Sequence, residues 1–205
     1  MFYPWLVRVS LAIFLSTAFM VGVSGETKIN LTPESKIWID GNSTVHPYTL
    51  TSTSFEVSCL LKGKTSLKAT NVASFTLTLP VKSLHSKDAD LDKNAYGALK
   101  ATEFPTIQFS LSRVEIIQPL QEDTVMLQVH GLLTIAGVTK PITVSAKGKV
   151  QEETGRFQGS ETLLMTDFGI TPPELFWGAI KVDNKIVVNF DLRFEIDHTK
   201  KGDPS

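Results

Sequence analysis

The chain is 205 residues long, 42% hydrophobic and 20% charged, with 20 Lys and Arg against 21 Asp and Glu. So even a balance excludes the concentrated basic surface that nucleic acid binding needs, and the amount of apolar sequence excludes a disordered chain. The single cysteine, Cys59, excludes an internal disulfide, so packing alone must hold the fold.

Residues 1–25 carry one charge, Arg8, and then an apolar run from residue 9 to 23 broken only by Ser10, Ser16, Thr17 and Gly22. The run falls short of the about 20 apolar residues of a membrane span and ends in the small residues Ser24 and Gly25, as a cleaved secretory signal does. Cleavage leaves a mature chain beginning near Glu26 with 19 basic and 21 acidic residues, net −2. Its length suits one domain, with a lead-in at 26–35, a domain at 36–197 and a tail at 198–205. The expected location is the periplasm or the extracellular space.

Along this domain the dominant period is two. A short strand is expected at 38–40, before the turn-forming Asp40-Gly41-Asn42. Phe55, Val57, Cys59 and Leu61 then alternate with Ser54, Glu56, Ser58 and Leu60, and Phe75, Leu77 and Leu79 with Ser74, Thr76 and Thr78. One helix interrupts the series at about 88–101, where Leu91, Ala95, Ala98 and Leu99 share a face, Asp88 is placed to cap the start and Pro105 follows the end. Alternation resumes in Ile107, Phe109 and Leu111, continues through 125–135, and returns in Ile142, Val144 and Ala146 after the Ala136-Gly137 turn. A strand at 156–167 follows Glu153-Thr154-Gly155. The last run, 185–196, is the clearest: Ile186, Val188, Phe190, Leu192, Phe194 and Ile196 alternate with Val187, Asn189, Asp191, Arg193 and Glu195.

Antiparallel strands of about a dozen residues with one apolar face must close on themselves or pair with a second sheet, or their edges stay open. The faces opposite the apolar ones carry Glu56, Lys147, Lys149, Asp191, Arg193 and Glu195. A small interior could not hold so many charges, so the apolar faces point inward. The fold class is all-β, as an antiparallel barrel or a deep sandwich.

No catalytic or metal motif stands out. His46, His85, His130 and His198 lack partners at metal-ligand spacing, and His85 before Asp88, Asp90 and Asp92 reads as an acidic helix start. Asp167-Phe168-Gly169 matches a kinase tripeptide without the rest of a kinase. Cys59, in phase with Phe55 and Val57, reads as a buried small hydrophobe.

Several phrases between the strands carry more. Residues 38–49 (WIDGNSTVHPYT) open the domain, and 94–109 (NAYGALKATEFPTIQF) join helix to strand. Residues 131–141 (GLLTIAGVTKP) and 167–173 (DFGITPP) follow, the latter leading to 178–182 (GAIKV). In this order, over about 36–196, they resemble the YceI-like family of secreted bacterial proteins. That resemblance implies an elongated, lipocalin-like antiparallel barrel of about eight strands with one helix, at about 88–101, packed at an end, holding a polyisoprenoid or isoprenoid quinone chain in an apolar tunnel, with no catalytic residues to carry over. One stretch departs from the family: many members open with an Asp-x-x-His-Ser phrase and a Phe-rich strand, where this chain has Ser43-Thr44-Val45-His46-Pro47 and then a Thr/Ser-rich stretch.

The expected function is therefore non-enzymatic binding, carriage or sequestration of an apolar lipid chain. A barrel of about eight strands can hold one small ligand, and long strands deepen its cavity without widening it. Alternation nominates Phe55, Val57, Phe75, Leu77, Ile107, Phe109, Ile142, Val144, Val188, Phe190, Leu192 and Phe194 as tunnel-lining contacts. Neither a metal nor a cofactor is expected beyond an isoprenoid-like lipid; the oligomeric state stays open, a dimer among the options. Two rivals remain: a filled barrel serving as a secreted stress or adhesion module, and an enzyme built on His130, Asp167 and Lys181, which no motif ties together.

Overall fold

The computed structural model describes residues 27–61, 72–120, 124–151, 153–175 and 177–196. The expected signal segment, the tail and His198 lie outside them. The strands are β1 (Thr27–Leu31), β2 (Lys36–Ser43), β3 (Tyr48–Ser52), β4 (Glu56–Leu61), β5 (Val72–Pro80), β6 (Thr106–Pro119), β7 (Thr124–Ile135), β8 (Val138–Gln151), β9 (Thr154–Leu164), β10 (Glu174–Leu175) and β11 (Ile180–Ile196), and the helix is α1 (Ala89–Ala98).

Among the described residues all the pairings are antiparallel, and the sheet curls round on itself. β4 to β9 follow one another, β9 pairs along β11, and the other edge of β11 is shared between β2 and β1. β1 closes the circuit: Ile29 stands opposite Ile196, and Thr27 opposite Leu61 of β4. Among the described residues this makes an eight-stranded lipocalin-like barrel, with β2 and β3 extending the wall at the end where α1 lies. There β3 is tied by the Thr51–His85 bridge to the segment that follows β5, in which Val81 and Leu84 are 1% and 0% exposed.

Three local outcomes differ from the sequence expectation. Asp40-Gly41-Asn42 is not a turn, because Gly41 pairs with both Tyr48 and Ile186 and the chain reverses only at Thr44 to Pro47. The room for this comes from the glycine itself: a Cβ there would sit 2.2 Å from the Tyr48 ring. The strand expected to reach residue 167 stops at Leu164, where Met165–Phe168 form a 3-10 turn that Gly169 ends at φ 65°. And the lead-in supplies β1, a short strand with too little alternation to be read as one.

Elsewhere local chemistry and structure agree. Asp88 caps α1, its Oδ1 accepting from the backbone N–H of Asp90 (2.8 Å) and Leu91 (3.3 Å). Lys100 at φ 52° ends the turn after the helix. The β7–β8 hairpin turns on Ala136 and Gly137, both at positive φ, which matches the right-handed twist of the strands it joins.

On the outer wall, Asp191 is 5% exposed although its parity is polar. Arg156 covers it, donating from Nε to Oδ1 at 2.8 Å and from Nη2 to Oδ2 at 2.6 Å, with Arg193 at 3.8 Å. These bonds, led by that of Arg156, hold its carboxyl below the ordinary value of 3.8. A depressed native value stabilises the fold above the ordinary carboxylate range and loses that effect as pH falls through the native value. Asp191→Asn should thus cost about 1 to 2 kcal/mol at pH 7. The difference should vanish in strong acid; denaturant melts of both proteins at pH 7 and pH 2 measure it, and an equal gap at both would refute the assignment.

Candidate functional site

The barrel encloses a cavity of about 330 Å³, toward the lower end of the range in which small ligands are held, about 300–1,000 Å³. Along β11 its lining runs from Val182 to Phe194, about 40 Å of extended strand. With the usual barrel tilt that is about 30 Å along the axis, so the space is long and narrow. The wall is hydrocarbon almost throughout because each strand sends alternate residues inward.

Ten of the twelve residues nominated by alternation line this cavity: Phe75, Leu77, Ile107, Phe109, Ile142, Val144, Val188, Phe190, Leu192 and Phe194. Phe55 and Val57 do not. They are partly buried and pack against the core, Val57 standing opposite Leu77 of β5. Cys59, in phase with them, does line the cavity; it is 4% exposed, and burial pushes its thiol up to about 11. It should resist thiol reagents in the folded protein, and rapid labelling without denaturant would show the register of β4 to be wrong.

Two devices keep the interior open. Large rings lie against glycines of the wall: Phe109 over Gly131, Phe157 over Gly148 and Phe190 over Gly159, each so close that a Cβ on the glycine would come within 2.6 Å of the ring. The rings are thereby laid along the wall instead of across the lumen. The second device is α1, which lies over one end. Leu91, Asn94, Ala95, Ala98 and Leu99 line the cavity, yet no helix residue is fully buried, because what lies beneath is space. Polar ties fasten the helix at its flank. Asp92 accepts from the Ser86 backbone N–H at 2.7 Å and lies 3.1 Å from His85 Nδ1, while the Tyr96 hydroxyl donates to Leu84 O at 2.7 Å.

The rings of Phe109, Phe75, Phe194 and Phe157 form a chain of edge-to-face contacts with centroids 6.3, 6.3 and 5.8 Å apart, running from near the start of β6 to the opposite end, where β9 begins and β11 ends. Sequence reasoning nominated Phe75, Phe109 and Phe194 but not Phe157, and not the contact between the rings. It also missed Glu161, which lines the cavity from β9. The signal was present: Phe157, Gly159, Glu161, Leu163 and Met165 share one parity, and a carboxylate interrupts an otherwise apolar row.

His130, Asp167 and Lys181 are not brought together at the cavity, and none of them lines it. His130 lies 2.9 Å from the Thr143 hydroxyl, Lys181 pairs with Glu174 at 3.2 Å, and Asp167 is exposed. Among the described residues no group of three His, Cys, Asp or Glu is placed to hold a metal ion.

Comparison with known proteins agrees with this architecture. The solved structure of BcnA from Burkholderia cenocepacia aligns with a TM-score of 0.63 at 18% identity, over 80% of this chain and 99% of that one. A polyisoprenoid binding domain from Saccharophagus degradans, implicated in plant cell wall breakdown, aligns at 0.61 and 10% identity, over 83% and 98%. The YCEI protein of Campylobacter jejuni aligns at 0.51 and 18%, over 68% and 80%. At these identities the likeness is one of fold. No curated protein matches the chain. The model of the YceI-like domain matches residues 34–194, most of the chain and nearly all of the barrel, and the protein belongs to the YceI-like family.

Proposed function

We propose that the protein, exported after cleavage near residue 25, binds and carries or sequesters an apolar lipid chain of the isoprenoid type, without catalysing a reaction. The observation that carries this reading is the long, narrow and almost wholly hydrocarbon cavity inside a closed barrel. Burying a chain in it is favourable by about 0.8 kcal/mol per CH₂. A partly enclosed tail would thus reach the about 8 kcal/mol of a micromolar complex once association costs are met. The isoprenoid chemistry is supported by the fold shared with the polyisoprenoid binding domain. The open interior speaks against the filled-barrel reading, and the lining, which includes none of His130, Asp167 and Lys181, speaks against an enzyme built on them.

The test is to express the chain with its own leader, purify it from the periplasm, and analyse organic extracts by mass spectrometry. A stoichiometric isoprenoid is expected on a protein whose N-terminus lies near Glu26. An extract without lipid would overturn the carrier reading, and a product that keeps residues 2–23 would mean an anchored protein.

A further inference from the structure

Among the described residues lining the cavity, Glu161 is the one that carries a charge. It stands on the inward parity of β9, opposite Val188 of β11 and between Gly159 and Leu163. Its carboxylate has no hydrogen bond or ion pair with any described residue, in contrast to Asp191 on the outer parity, which two arginines hold. A carboxylate only accepts hydrogen bonds, and one set in an apolar chamber is unfavourable unless water or a donor meets it. The other polar side chains among the described residues of the wall, Cys59 apart, are Tyr48 at the start of β3 and Asn94 on α1. Both belong to the end of the barrel to which Glu161 is nearer, and the opposite end carries the linked rings of Phe75, Phe157 and Phe194.

We infer that the cavity is polarised, and that Glu161 anchors a lipid whose head donates a hydrogen bond, an alcohol or an amine, with its tail directed at the phenylalanines. An anionic head placed at the same level would meet the carboxylate as a like charge. This assignment rests on the carrier reading and adds to it a head-group class and a direction.

Geranylgeraniol and its methyl ether test it, because they share the chain and differ in the donor. Their affinities are measured by competition against a fluorescent apolar probe, on wild type and on Glu161→Leu. The wild type should prefer the alcohol about tenfold or more, the size of a hydrogen bond to a charged acceptor. Glu161→Leu should lose that preference while binding the ether at least as well, and its folding is protected because an apolar side chain replaces an unpaired charge on an apolar wall. Equal affinity of the wild type for both compounds, or a preference that survives Glu161→Leu, overturns the role of Glu161 and leaves the carrier reading standing. Binding of neither compound overturns both.

Discussion

Gly159→Ala is expected to destabilise the barrel by about 3 kcal/mol, while Gly148→Ala costs about 1 kcal/mol and empties the tunnel of its ligand. The two glycines look equivalent in sequence, each facing a phenylalanine across the strand pair: Gly159 opposite Phe190 and Gly148 opposite Phe157. What surrounds them differs. A Cβ on residue 159 would meet the backbone oxygen of Ser145 at 2.4 Å as well as the Phe190 ring at 2.6 Å, so β8 itself would have to move. At residue 148 the near atoms belong to the Phe157 ring, at 2.5 and 2.7 Å, with Leu127 at an ordinary 3.5 Å. That ring can swing, and the lumen is where room exists. Thermal or denaturant melts and the amount of extractable lipid per mole of folded protein separate the outcomes. Similar melts for the two variants would contradict the difference in surroundings, and a full load on Gly148→Ala would contradict the view that the rings are held clear of the lumen.

Phe190→Glu should abolish ligand loading and destabilise the fold by about 3 to 5 kcal/mol, the range of a lost core aromatic. Phe190 is on the inward face, covers Gly159, and borders the level of Glu161. The substitution removes apolar wall and sets a second carboxylate near one that already lacks a partner, so like-charge repulsion joins the desolvation penalty. Because such a variant can fail simply by not folding, Val188→Trp is the companion. Val188 is half-buried and lines the cavity, so an indole there extends into open space and should cost no more than about 1 kcal/mol. It should fold, by circular dichroism, and carry little lipid. Normal folding with a full load would mean that the ligand does not pass this level of the barrel.

How legible each part was follows from what kind of constraint made it. The inward residues of β5, β6, β8 and β11 could be read directly, because a strand sends side chains to opposite faces with period two and only one face can be buried. The capped helix was readable for a similar reason, since Asp88 and the row from Leu91 to Leu99 act within a few residues of one another. Phe55 and Val57 show the limit. Their parity is correct for the interior, but parity does not say whether a residue on that face meets the lumen or packs into the core beside it.

The sequence by itself determined the all-β class, the parity of the long strands, the place of the helix and the family, because each depends on local periodicity or on contiguous phrases. Only the tertiary structure decided the closure by β1, the seating of Phe109, Phe157 and Phe190 on glycines, the chain of rings and the exposure of Glu161 to the cavity. Each of these depends on the register between strands distant in sequence. A slip of one residue would exchange the faces, and no local pattern records which residues then stand opposite one another.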